Sequence, residues 1–126
     1  MRALLGIVVL LAVWGCAAPA HAAEMGDNLL KSCQIAVRGL ETGAKGMSSA
    51  DGYHIGYCFG MLQGTHETTA VHGTQYEETL FCTAQQVDRK ELLTTFVTFM
   101  DSNPSALRLP AVAAVILAFQ SAYPCR

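Results

Sequence analysis

The chain has 126 residues, is 52% hydrophobic and only 14% charged, and carries a formal net charge of −2. So slight an acidic balance offers no basic footprint for nucleic acid. The length fits one domain with a modest core, of the kind that exported proteins commonly supplement with disulfides.

At the N-terminus, Met1-Arg2 supply positive charge, Leu4 to Val13 form an apolar run broken only by Gly6, and Ala20-His21-Ala22 is a small-x-small cleavage signature. This is the pattern of a secretory signal peptide over residues 1–22, which leaves residues 23–126 as one helical domain. The run is short for a bilayer, so no membrane span is expected after cleavage. Val13-Trp14-Gly15-Cys16 loosely resembles a lipobox, but the bulky Trp14 fits it poorly, and a lipoprotein anchored at Cys16 is the weaker reading. Cleavage removes Arg2, so 7 basic and 10 acidic residues remain, a charge of −3. It also leaves Cys33, Cys58, Cys82 and Cys125, an even number that points to two disulfides in an exported chain.

Asp27 is a plausible N-cap for a first helix, roughly Asn28 to Leu40, in which Leu29, Leu30, Cys33, Ala36, Val37 and Leu40 recur at spacings of three and four. Gly39, Gly43 and Gly46, with Ser48 and Ser49, predict a turn. A second helix, from about Asp51 to Val71, carries Gly52, Gly56, Gly60 and Gly64 at four-residue spacing. A glycine inside a helix costs about 0.5–1 kcal/mol relative to alanine, so four on one stripe predict a neighbouring helix packed closely against them. Residues 72–86 are polar and unperiodic apart from Leu80-Phe81-Cys82, and are read as a long connection.

Asp88-Arg89-Lys90-Glu91 has the form of a capping box before Leu92, Leu93, Phe96, Val97, Phe99 and Met100. The third helix it opens should end near Ser102, because Pro104 keeps Asn103 out of the helical region. Pro110 suits the first turn of a fourth helix, Ala111 to Ala122, apolar enough to be buried on most sides. With no convincing strand, the expected fold class is all-α: a compact bundle of about four helices in two antiparallel hairpins. Hairpin geometry also proposes the disulfides. Cys33 and Cys58 lie about equally far from the first turn, and Cys82 just precedes helix three as Cys125 just follows helix four. The expected bridges are Cys33 with Cys58 and Cys82 with Cys125.

No catalytic set emerges. His54, His66 and His72 lack the tight pairing of a zinc motif such as H-E-x-x-H and are read as surface or helix-end residues, while the cysteines are consumed as disulfides. The expectation is a non-enzymatic protein without metal or cofactor. G-x-x-x-G spacing could signal membrane-helix pairing, yet Asp51, His54, Gln63 and His66 make that segment too polar to span.

An ordered set of features carries a resemblance: the cysteine of the first helix, C-x-G-x-x-x-G from Cys58 to Gly64, Phe81-Cys82, Asn103-Pro104 with Leu107 and Pro110-Ala111, and Ala122-Tyr123-Pro124-Cys125. Together they resemble the Rap/Tai family of type VI secretion immunity proteins, over nearly the whole mature chain. Met61 and Thr83-Ala84 depart from the tyrosine and the proline usual there. The resemblance implies a disulfide-linked periplasmic protein, often a homodimer, that binds and inhibits a secreted peptidoglycan amidase effector. The alternative is a general periplasmic accessory protein or small acid-stress-type chaperone with no effector partner. For an inhibitor, two partner-binding surfaces suggest themselves, although the plainer reading of the first is an ordinary helix-to-helix loop whose prolines stop and start helices. One is the connection from Asp101 to Leu109, where Asn103-Pro104 stiffens the start and Asp101 and Arg108 offer polar contacts; the other is residues 72–78, with Tyr76 as an aromatic anchor.

Overall fold

The computed structural model describes residues 24–75, 79–83 and 86–125. The signal peptide expected over residues 1–22, with Cys16, and the proposed anchor Tyr76 lie outside them. The described residues form four α-helices and no strand: α1 Gly26–Thr42, α2 Ser49–Gln75, α3 Arg89–Ser102 and α4 Ala111–Ala122, with a 3-10 turn over Pro104–Arg108. The all-α expectation holds. α1 packs chiefly on α2, α3 packs on α4, and α1 also touches α3, α4 and the 3-10 turn.

α1 starts earlier than its local sequence suggests. Its N-cap is Met25, in extended backbone, and not Asp27. The reason lies far along the chain: the Gly26 N–H donates to Leu109 O at 2.8 Å, the Ala111 N–H donates to Glu24 O at 2.7 Å, and Met25 forms an isolated antiparallel bridge with Pro110. These bonds give the helix start partners that no side-chain cap supplies. Gly26 is buried, and a Cβ placed on it would lie 2.7 Å from Ala106 O and 3.1 Å from Met100 Cε. Only glycine fits that approach. α1 ends where Gly43 adopts φ 60°, the left-handed cap that returns its N–H to Gly39 O. Gly46 also has positive φ, 74°, and completes a tight reversal into α2.

α2 opens on a capping box formed by Ser48 and Asp51. The Asp51 N–H donates to Ser48 Oγ at 3.2 Å, and the Ser48 N–H and hydroxyl both donate to Asp51 Oδ2 at 2.8 Å. Those bonds hold the exposed Asp51 carboxyl below the usual carboxylate range, the backbone N–H contributing most.

The helix is then rotated by its covalent link to α1. Cys33 and Cys58 are bonded with their Cα atoms 5.1 Å apart, both fully buried, and Leu62 is buried on the same face. Gly56 and Gly60 each stand two residues from Cys58, about 200° around the helix. The glycine stripe therefore points away from the bundle. Gly52, Gly56, Gly60 and Gly64 are exposed, and a Cβ on any of them would meet nothing within 4 Å. The expectation that a helix of this chain packs along the stripe is corrected.

α3 buries Leu92, Leu93, Phe96 and Met100. Asp88 occupies its N-cap position but makes no side-chain cap bond, so the capping-box pattern there is not realised. Pro110 is the N-cap of α4, one position before the first turn expected for it. α4 buries Ala111, Ala114, Val115, Ala118 and Phe119, while Val112 and Leu117 are 48% and 42% exposed. It packs on all three other helices, yet the expectation of burial on most sides is met only in part, since Val112 and Leu117 stay open to solvent. Beside it, Cys82 is bonded to Cys125 with Cα atoms 4.9 Å apart, and the Cys82 N–H donates to Tyr123 O at 2.8 Å. Both pairings are those expected. The bridges span 25 and 43 residues of sequence, separations at which the loss of unfolded-chain entropy is worth roughly 3–4 kcal/mol each.

Two matched substitutions test the glycine assignments. Gly26→Ala forces a methyl against main-chain oxygen and is expected to cost about 1–3 kcal/mol. Gly60→Ala adds the same methyl to the open side of a helix and is expected to gain about 0.5–1 kcal/mol. Urea denaturation of each should show shifts of opposite sign; a destabilised Gly60→Ala would mean that the stripe is covered. A pH series tests the cap. Since the folded Asp51 carboxyl binds its proton more weakly than the unfolded one, its contribution is present above about pH 4 and lost as pH falls through the lower folded value. The stability gap between the parent and Asp51→Asn should shrink over that range, and a pH-independent gap would contradict the assignment.

Candidate functional site

The residues expected to contact a partner sit at the corner where α3 passes into α4. Asp101, Ser102, Ser105 and Arg108 are exposed there, while Ala106 is buried and Leu107 and Leu109 pack against the core. The segment is a seated turn. Ala106 O approaches Gly26, Leu109 O accepts from Gly26, and the Ala106 N–H donates to Asn103 O at 2.9 Å. Asn103 is committed locally, since its Nδ2 donates to Phe99 O at 2.8 Å and closes the end of α3. Asp101 and Arg108 are thus the outward groups of this corner.

Beside the corner, a shallow groove of about 450 Å³ between α3 and α4 is lined by Thr94, Thr95, Thr98, Phe99 and Ser121. A second, more polar groove of about 790 Å³ lies between α2 and the start of α3, where Gln63, His66 and Glu67 face Asp88 and Arg89. Its groups are already partnered in part: Gln63 Nε2 donates to Glu67 Oε1 at 2.6 Å, and His66 Nε2 lies 2.8 Å from Thr83 Oγ1. A third groove, about 340 Å³ and mainly apolar, runs between the glycine stripe and the outer face of α4, with Gly60, Met61, Gly64, Leu80, Val112 and Ile116.

His54 and His66 fasten elements together. His54 Nδ1 is 3.0 Å from Oγ of Ser32, which is buried, and so ties α2 to α1. His66, besides its contact to Thr83, stacks on Phe81 with centroids 6.5 Å apart. Reading them as surface or helix-end residues missed this role, although the signal was present: Ser32 adjoins Cys33, and His54 lies one turn before Cys58. Among the described residues no group of three or more His, Cys, Asp or Glu side chains could hold a metal ion. No described helix is long and apolar enough to cross a membrane. The arrangement offers surfaces for binding, with its four described cysteines locked as disulfides.

A family model described as Rap1a immunity proteins matches residues 25–125, which span all four helices and both bridges. No curated protein and no solved structure matches the chain.

One polar group is left over. The hydroxyl of Tyr57 is buried with no hydrogen-bond partner among the described residues. Burial pushes its phenol upward, and the Glu24 carboxylate and neighbouring Tyr53 add to the shift. Removing such a hydroxyl without changing the ring relieves a desolvation cost of about 1–3 kcal/mol. Tyr57→Phe is therefore expected to melt at or above the parent temperature, and a clear loss of stability would show that the hydroxyl has a partner.

Proposed function

Because this chain belongs to the Rap1a immunity protein family, we propose that it is exported to the periplasm, where it binds and inhibits a type VI secreted peptidoglycan amidase. The family match carries the reading, since it takes in every helix and both disulfides. The bridges support an oxidising compartment. The apolar run from Leu4 to Val13, followed by Ala20-His21-Ala22, supports a route there.

An inhibitor blocks an enzyme cleft best with groups that need little ordering on contact. The corner between α3 and α4 meets that condition. Its backbone is held by Gly26, Asn103 and Ala106, Ala106 is buried with Leu107 and Leu109 packed against the core, and Asp101, Ser105 and Arg108 face solvent. Arg108 is assigned the leading contact, because a guanidinium pairs in fixed bidentate geometry with carboxylates. Tyr76, with Glu77 and Glu78, is the competing surface.

The test is protection of cells that express the amidase in their periplasm. The parent is expected to protect, and Arg108→Glu to lose protection with at least about tenfold weaker binding, while circular dichroism and melting stay unchanged. Light scattering of the parent with and without the amidase reads the stoichiometry and any homodimer. Full protection by Arg108→Glu and by Tyr76→Ala would remove both surfaces. A parent that binds no amidase would overturn the inhibitor reading in favour of an accessory role.

A further inference from the structure

The two disulfides lie in opposite environments. Cys33 and Cys58 are each 0% exposed, in the core between α1 and α2. Cys82 and Cys125 are both exposed, where the segment before α3 meets the end of α4. A hydroxyl stands against this outer bridge: Thr79 Oγ1 is 3.2 Å from Cys125 Sγ and 3.4 Å from Cys82 Sγ.

Thiol–disulfide exchange requires a thiolate to reach a bonded sulfur, and its rate depends on that access and on the ease with which the other sulfur leaves as a thiolate. The inner bridge denies access unless α1 and α2 separate. The outer bridge grants it in the folded protein. The Thr79 hydroxyl rotates freely about its C–O bond and so is able to donate to whichever sulfur gains negative charge.

We infer that Cys82–Cys125 is a thiol–disulfide exchange site, opened by small thiol reductants in the folded protein while Cys33–Cys58 stays closed. In the first step a reductant thiolate attacks Cys125 Sγ, the Cys82–Cys125 bond breaks, and Cys82 leaves as a thiolate that takes a proton from water. In the second, another reductant thiolate attacks the reductant's sulfur in the mixed disulfide. Cys125 leaves as a thiolate and is protonated, and two molecules of thiol become one of disulfide. Two electrons pass to the bridge.

What opens is local. Phe81, 4% exposed, stays packed edge-to-face on Phe119 with centroids 5.3 Å apart. The Tyr123 hydroxyl still donates to Glu91 Oε1 at 3.1 Å. Exchange therefore frees the surface residues around Thr79 and Cys125 and leaves the helices in place.

The experiment treats the folded protein with excess reduced glutathione in the absence of denaturant, quenches samples with iodoacetamide, and maps the alkylated cysteines by mass spectrometry while following helicity. Cys82 and Cys125 are expected to label at least about tenfold faster than Cys33 and Cys58, with the helical signal retained. Equal rates, earlier labelling of Cys33 and Cys58, or no labelling of Cys82 and Cys125 would overturn the assignment. Thr79→Val should slow labelling of the outer pair and Thr79→Ser should restore it; an unchanged rate in Thr79→Val would overturn the part given to the hydroxyl.

Discussion

The buried Cys33–Cys58 bond decides how the two longest helices face each other. Once Cys58 points at α1, every other residue of α2 has its side assigned by the 100° step of the helix. Leu62 falls inward with it, and Ile55 comes to rest beside Gly39, where a Cβ would stand 3.1 Å from the Ile55 side chain. His54 meets Ser32. The glycines fall outward, and with them the mainly apolar groove against α4. The outer surface of the molecule is thus a consequence of an inner covalent bond.

The second half of the chain hangs on the first through the opening turn of α1. Glu24, Met25 and Gly26 exchange main-chain contacts with Leu109, Pro110 and Ala111, so one short stretch sets both the beginning of α1 and the beginning of α4. The 3-10 turn between Pro104 and Arg108 is pressed against the same place. This is why the corner that carries Asp101 and Arg108 has a fixed backbone although it is short of regular structure. The outer disulfide and the Cys82–Tyr123 bond tie the far end of the same pair of helices.

How much of this was legible in the sequence depends on the range of the forces involved. The 3.6-residue recurrence of Leu29, Leu30, Cys33 and Ala36, and of Leu92, Leu93, Phe96 and Met100, is local, and those helices lie where it puts them. The disulfide pairing followed from joining neighbours into hairpins. The glycine stripe was misread although the contradiction was already present: Cys58 and Gly60 are two residues apart and cannot both face α1. Other errors were invisible locally. Nothing near Asp27 reveals that Leu109, more than eighty residues on, draws the helix start back to Met25. The serine–aspartate box at Ser48 and Asp51 is as legible locally as the similar pattern at Asp88, yet only the first forms its cap bonds. Which surface meets a partner was not legible at all. Exposure follows from packing, while recognition depends on a second molecule whose shape this chain does not encode.

The connectivity of the bridges bears on how the molecule is made. Each described cysteine is joined to the next in order, Cys33 to Cys58 and Cys82 to Cys125, at sequence separations of 25 and then 43. A chain whose thiols meet an oxidant one after another, N-terminus first, forms the Cys33–Cys58 bond while Cys82 has not yet arrived. The simplest order of events is then the native one, and no wrong pair has to be broken and remade. Paired in that order, the four described cysteines give an isomerase nothing to correct.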